Sequence, residues 1–407
     1  MKNTAPEKEE VEPQVTIVDI EEGVPRSRKC KTRVRRFGSV LRKSFQHSDK
    51  SEASPWPKIV RKVLYLQTVT LCLAVIGYVI YHALLLALIR RITPPAPPTN
   101  GLTKIVSSWV EPGTVTPAPP SWLPQFSRDV QPKAIHSHND YWRRVPLFDA
   151  LALGITGVEA DCHLVNGELY VGHMAGDLRS SRTFRSLYLD PLTSILTNQN
   201  VANGVASSST INGVWDVNNT QGIVLMTDLK TEGFATLAAV QEQLEPLRQK
   251  GWLTYWNGTA IVPGPITHVG TGNTPFAAVL NSSYSNSTYR SVFFDAPLDD
   301  LSSDLYNASN SYYSSVSINK VFSGKLRISH RGLSKFQLAI ARSQIEKASS
   351  LGLVSRYWDL PAWPASTRMT VWEQLEDLGV GMLNVDAIEE ATRWNWKWCH
   401  VLGLTLC

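Results

Sequence analysis

Two patterns of apolar and polar positions divide the chain. The first is one uninterrupted run, Val63 to Ile89 (VLYLQTVTLCLAVIGYVIYHALLLALI), 27 residues without Asp, Glu, Lys or Arg. About 20 apolar residues in a helix cross a bilayer core, so 63–89 is predicted to be a transmembrane helix. It lies too far from Met1 and runs too long for a cleaved signal peptide. A buried core helix rarely runs this long uncharged. The second pattern starts near Val130, where short apolar runs alternate with helical stretches. Strands are predicted at Ala134-Ile135, Gly157–Asp161, Leu169–Val171, Gly222–Leu229, Ala260–Val262, Ser291–Phe294, Arg327–Ser329 and Gly381–Val385. Helices are predicted at Pro146–Gly154, Thr236–Lys250, Phe336–Ser350 and Val371–Leu378. The Thr236–Lys250 stretch places Leu237, Val240, Leu244 and Leu247 at helical spacing. A βα series implies a parallel sheet covered by helices. Its length suits a TIM-type (β/α)8 barrel over 129–407, or two small domains. Residues 203–220 and 281–315, rich in Ser, Asn and Thr, read as loops or insertions.

Composition narrows the class. The chain has 407 residues, 43% apolar and 18% charged, which excludes full disorder and a collagen-like repeat. The net charge of +5 is concentrated at one end. Residues 1–62 hold 15 Lys/Arg against 9 Asp/Glu, and the remainder 25 against 26. The chain is therefore a basic, disordered tail on a near-neutral body, and not a nucleic-acid-binding domain. Arg42, Lys43, Lys50, Lys58, Arg61 and Lys62 precede the apolar run closely; only Arg90, Arg91 and Lys104 follow it as closely. Basic flanks favour the cytoplasm. The expected arrangement is a single-pass signal-anchor, with a cytosolic N-terminus and a lumenal or extracellular body in the secretory pathway. The tail is equally compatible with contact to anionic lipid and with simple solvation. Residues 92–128 carry nine prolines between Pro94 and Pro124 and read as a semi-rigid, extended linker. Asn218, Asn257, Asn281, Asn286 and Asn307 begin glycosylation acceptor triplets, all beyond the apolar run. Five scattered cysteines form no CxxC pair. Cys399 and Cys407 are close enough in sequence to pair in an oxidising lumen, with two free thiols an equal alternative.

Candidate chemistry concentrates between Ala134 and Asp177. His136 follows a short apolar run, and Glu159 and Asp161 sit two apart on a predicted strand, so they share a face. His173 lies beyond a turn at Asn166-Gly167, and Asp228 and Lys230 close the strongest strand with the same two-residue period. In an α/β barrel such groups converge at the carboxyl ends of the strands. Three carboxylates suit a hard cation, Mg²⁺ or Ca²⁺. That ion and Lys230 would neutralise phosphate oxygens, while two imidazoles serve as base and acid across an in-line displacement. Cys162 should face the opposite way and be buried. Asn139, Asn384 and Asp386 are candidate pocket residues, Asn139 also being a natural turn residue. Ser329-His330-Arg331-Gly332 falls too late for the first strand and reads as a later strand end. Trp394, Trp396 and Trp398 alternate and read as packing or a lipid-facing rim.

The segment from His136 to His173, with Gly157 entering the Glu-x-Asp strand and Asp228-x-Lys230 following, resembles the phospholipase-C-like, glycerophosphodiester phosphodiesterase-like superfamily. HSHNDYWR, VEADCHL, RYWDLPAWP and MLNVDAIEEA resemble more closely the fungal altered inheritance of mitochondria protein six family, over residues 134–398. The resemblance implies a TIM-type barrel and phosphoric diester hydrolase activity on a phospholipid-derived or glycerophosphodiester substrate. It implies His136 and His173 as the acid/base pair, Glu159, Asp161 and Asp228 as metal ligands, and Lys230 as a phosphate contact. One departure stands out: Ser137 occupies the place where glycerophosphodiesterases carry an Arg, with Arg143 and Arg144 the nearest substitutes. That departure motivates a second reading, a catalytically silent barrel that binds a lipid or partner. A third is a zinc amidohydrolase-like barrel using His136 and His138, with Lys230, His268, His330 and Asp386.

Overall fold

The structure is a computed structural model and describes residues 58–93, 99–112, 125–200, 211–301, 305–322, 327–392, 400–401 and 404–405. The expectations for the tail ahead of residue 58, for Trp394, Trp396 and Trp398, and for Cys399 and Cys407 lie outside these residues. The strands in chain order are β1 (Lys133–Ser137), β2 (Ile155–Val165), β3 (Glu168–Val171), β4 (Ile223–Leu229), β5 (Tyr255–Trp256), β6 (Ile261–Val262), β7 (Ile266–Gly272), β8 (Phe293–Pro297), β9 (Ser311–Ser317), β10 (Val354–Trp358), β11 (Met382–Val385), β12 (His400–Val401) and β13 (Leu404–Thr405). Eight of them (β1, β2, β4, β7, β8, β9, β10 and β11) pair in parallel, and β11 returns to β1 to close the barrel. The fold is a TIM-type barrel, as the alternation of strand and helix predicts. β3 folds back antiparallel on β2, and β5 and β6 form a separate two-stranded sheet.

Side-chain alternation separates two cores. Val224, Met226, Val269, Tyr313 and Met382 fill the barrel interior, while Leu225, Leu229, Ile266, Val158 and Ala160 face the helices. The opposite parity of neighbouring residues on one strand is what a period of two requires.

Several expectations need correction. Ala260–Val262 is not a barrel strand; its Ile261-Val262 pairs with Tyr255-Trp256, and the barrel strand is β7 just after it. β9 (SYYSSVS) lies at the end of a segment expected to be loop. Its serines hide the period: Ser311, Ser314 and Ser317 are buried because one face of the strand meets the barrel interior and the other the outer core. Small hydroxyl side chains fit where a barrel is tightly packed. Arg327–Ser329 is no strand; Gly332 N–H donates to Ser329 C=O, closing a turn ahead of the helix Lys335–Ser350. The helix expected over Thr236–Lys250 breaks into Gly233–Gln243 and Glu245–Gln249, because Pro246 has no N–H to continue it.

The linker expectation is also partly corrected. Residues Gly101–Ser108, between the two proline clusters, form a helix. Asn100 and Thr103 build a reciprocal cap at its start. Leu102 is fully buried, Asn100 Nδ2 donates to Arg128 C=O (2.8 Å) and Arg144 Nη2 donates to Val106 C=O (2.6 Å). The apolar run becomes the helix Lys58–Ile92, unburied and long and apolar enough to cross a membrane. Asn218, Asn257, Asn281 and Asn286 are exposed and Asn307 is half-buried.

His268 lies on β7 level with Leu225, on the helix-facing side. It is fully buried, Nε2 meets Thr227 Oγ1 at 3.0 Å, and Nδ1 has no partner. Burial, with Arg248 nearby, pushes this imidazole down to about 3.

Two predictions follow from this packing. Leu102→Ala should lower unfolding stability by about 2–5 kcal/mol, read by denaturant titration, since a buried Leu is emptied from the helix–barrel contact. The folded state also keeps His268 neutral until about pH 3, whereas the unfolded chain protonates it from about 6.5. Stability is therefore full above that pH and drains as pH falls. His268→Gln should retain about 2 kcal/mol more of its neutral-pH stability than wild type at pH 5, measured as the difference between the two pH profiles.

Candidate functional site

Local sequence delivers the groups and strand register assembles them. Glu159 and Asp161 alternate with Ala160 and Cys162 on β2, so both carboxylates point into the barrel while Cys162 is buried on the other side. β4 lies beside β2 in a register that sets Asp161 level with Asp228 and Glu159 level with Met226. Glu159, Asp161 and Asp228 therefore bring carboxylate oxygens within 4.8 Å of one another. Lys230, one residue past β4, places Nζ 3.0 Å from Asp161 Oδ2 and 2.7 Å from Asp228 Oδ2. Glycine at two positions makes room. A Cβ on Gly157 would lie 2.5 Å from His136 Nδ1, and one on Gly272 would lie 2.0 Å from Asp228 Oδ1.

The two histidines of the expected pair reach the same cluster from different strands. His136, at the end of β1, has Nε2 3.7 Å from Glu159 Oε2 and Nδ1 3.3 Å from Tyr313 Oη. His173, beyond β3, has Nδ1 3.1 Å from Asp161 Oδ2, and its ring packs against Trp142 at 5.3 Å. Each imidazole thus touches one member of the trio.

Electrostatics follow from burial. Burial pushes the carboxyls of Asp161 and Asp228 up, and the neighbouring carboxylates add to this; Lys230 offsets only part. Burial also acts on Glu159, but the His136 contact and the His138 and Arg356 charges outweigh it and hold Glu159 below its usual range. Burial lowers His136 and keeps its ring neutral. The Lys230 ammonium loses hydration, yet Asp228 and Asp161 raise its proton affinity above normal. The Cys162 thiol is pushed well up by burial, as suits an inert core residue.

These donors fit a divalent cation. All are carboxylate oxygens, three negative groups face one ammonium, and Asp161 Oδ1 is buried without a partner. Oxygen donors of that charge suit Mg²⁺ or Ca²⁺.

Of the other expected residues, Asn139 starts the turn after β1 in a left-handed conformation (φ 49°) and its Oδ1 accepts from Tyr141 Oη. Asn384 faces inward on β11 and accepts from Arg356 Nη1 at 2.8 Å. Asp386 Oδ1 meets His138 Nδ1 at 2.8 Å, and His138 Nε2 lies 3.9 Å from Glu159 Oε2. The substitutes for the missing Arg are committed elsewhere. Arg143 donates to Ser137 Oγ, His138 C=O and Asp386 C=O, and Arg144 reaches the linker helix. The amidohydrolase-like set does not assemble: His268 faces the helices and His330 lies exposed in the 329–332 turn, not at a strand end.

Sequence reasoning missed two groups. Tyr141 Oη sits 2.7 Å from Asp161 Oδ2, 2.8 Å from Asn139 Oδ1 and 3.2 Å from His173 Nδ1. Burial and Asp161 push its hydroxyl far up, so it stays a donor. Arg356, on the inward face of β10, is held by Ser315 Oγ, Asn384 Oδ1 and Asp295 Oδ2. A charged residue inside a short strand that also carries Val354, Tyr357 and Trp358 was the available signal for Arg356, and the polar turn after the first strand was the signal for Tyr141.

Comparison with known proteins gives the family. Residues 124–295 match the family described as AIM6-like phosphodiesterase domain. The chain is 35% identical over 272 residues to "Altered inheritance of mitochondria protein 6 homolog" of Arthroderma benhamiae, covering 65% of this chain and 84% of that protein. It is 34% identical over 286 residues to "Altered inheritance of mitochondria protein 6" of Lachancea thermotolerans, covering 65% and 66% of the two chains. The protein of that name from Saccharomyces cerevisiae is 32% identical over 283 residues, covering 65% and 72%. With an inward carboxylate trio at the mouth of a closed barrel and this degree of identity, the chain belongs to the altered inheritance of mitochondria protein 6 family, whose domain is phosphodiesterase-like.

Proposed function

We propose that this chain is a metal-dependent phosphoric diester hydrolase acting on a phospholipid-derived or glycerophosphodiester substrate. One observation carries the reading: three inward carboxylates within 4.8 Å of one another, with His136 and His173 each against a different one of them. Glu159, Asp161 and Asp228 would hold Mg²⁺ or Ca²⁺, which when bound supplies positive charge for the non-bridging phosphate oxygens. Lys230 adds a second positive charge beside Asp161 and Asp228. His136 enters the reaction neutral and is the group able to accept a proton. His173 is held through Nδ1 by Asp161 and Tyr141, which leaves Nε2 to deliver a proton to the leaving oxygen. Asn139, Asn384 and Asp386 line the approach.

A silent lipid- or partner-binding barrel is the second reading. It is favoured by Arg143, whose nitrogens are spent on Ser137, His138 and Asp386 and not left for phosphate.

We further propose that the run 63–89, within the helix Lys58–Ile92, crosses a membrane as the one span, with residues 1–62 cytosolic and the barrel in the secretory lumen or outside. Nucleic acid has no place in this reading.

The full-length chain in detergent should hydrolyse at least one of the glycerophosphodiesters, lysophospholipids or sphingomyelin. Activity should vanish in EDTA and return with Mg²⁺ or Ca²⁺. His136→Ala and His173→Ala should each cost about 10²–10⁴-fold in turnover. A folded wild type that binds these lipids but hydrolyses none supports the silent barrel instead. For topology, expression in a eukaryotic secretory host should give a band that N-glycosidase shortens, and Asn→Gln changes at 218, 257, 281 and 286 should remove the shift. An unshifted wild-type band would place the barrel on the cytosolic side.

A further inference from the structure

A small recess opens beside the candidate site, between the segment after β10, the helix Ala365–Asp377 and the end of β11. Its free space is about 310 Å³ including the open mouth. Leu360, Pro361, Val385 and Ala387 make most of the wall apolar. The polar exceptions are Arg368, Asn384 and Asp386, the last bonded to His138, which leaves Arg368 as the cation. Its guanidinium lies over the Trp372 ring at 5.1 Å, and Nε is buried with no hydrogen-bond partner. Its other contacts are long: Nη1 to Ala362 C=O at 3.5 Å and Nη2 to Glu390 Oε1 at 3.9 Å. A guanidinium has five donors in a fixed plane that matches the two oxygens of a carboxylate or phosphate. The two Nη groups, whose only partners lie at the edge of hydrogen-bond and ion-pair range, are the donors that a ligand in the recess would complete.

Position gives the recess a connection to the chemistry. Asn384 and Asp386 line it, and the same two residues bond Arg356 and His138, which face the carboxylate trio. We propose that this recess is an oxyanion subsite, in which Arg368 takes a carboxylate or phosphomonoester group carried by the part of the substrate that leaves. This assignment rests on the phosphodiesterase reading for its place in a reaction, but anion binding itself does not require turnover. It implies selection for diesters whose leaving alcohol is itself anionic.

The test is direct binding of glycerol 3-phosphate and of glycerate to the full-length chain, in EDTA, by calorimetry, with glycerol as the neutral control. EDTA removes any contribution from a metal held by the carboxylates. Wild type should bind one or both anions and not glycerol, and the stronger of the two distinguishes phosphate from carboxylate. Arg368→Met, which keeps the stem over Trp372, should weaken that binding about tenfold or more. If that variant does not fold, Arg368→Lys, a point charge without the fork, should still weaken it several-fold. Absent binding by wild type, or affinity unchanged in a folded Arg368 variant, overturns the assignment. Anion binding lost in Arg368→Met by a chain that hydrolyses no diester would leave the subsite standing while the hydrolase reading falls.

Discussion

The constraint on which the rest depends is the crowding of three carboxylates inside the barrel. Unit charges about 5 Å apart at an effective dielectric near 20 repel by about 3 kcal/mol per pair. Strand alternation and register bring Glu159, Asp161 and Asp228 that close. Much of what surrounds them answers this repulsion. Lys230 bridges two of the three, the Tyr141 hydroxyl donates beside Asp161, and Arg356 projects its charge toward Glu159. The compensation is incomplete, since Asp161 and Asp228 remain shifted toward their protonated forms. An incompletely neutralised, oxygen-only cluster is what a site for a hard cation requires.

Arg356 shows how the interior is built around this demand. Its guanidinium is almost fully buried, and three neighbouring strands contribute partners: Ser315 on β9, Asn384 on β11 and Asp295 on β8. A buried charge that lost such partners would be strongly destabilising. The network therefore ties four strands together beneath the mouth. Arg143 plays the corresponding part above, tying the turn after β1 to the residues after β11. Arg143, one of the two nearest substitutes for the arginine that Ser137 replaces, is here a structural brace.

Legibility in the sequence followed the range of the interaction. The apolar run 63–89, the Glu-x-Asp strand and the strand ending at Leu229 were readable because each is a local periodic pattern. β9 was not, because seven residues rich in Ser and Tyr carry no clear alternation of hydrophobicity. β7 was displaced by its neighbour, because Ile261-Val262 is as β-prone as Ile266–Gly272 and only pairing partners distinguish them. The helix at 101–108 was masked by the prolines on either side.

By itself the sequence determined which groups share a face: a period of two makes Glu159 and Asp161 point together and Cys162 point away, wherever the strand lies. It equally determined that a long uncharged helix precedes the barrel. Tertiary structure decided what those faces meet. The β2–β4 register set Asp161 beside Asp228, barrel closure brought His136 and Asn384 to the same mouth, and the β4–β7 register turned His268 outward. The physical reason is that alternation is a property of one strand, whereas register and closure are set by packing among many, and no single segment encodes them.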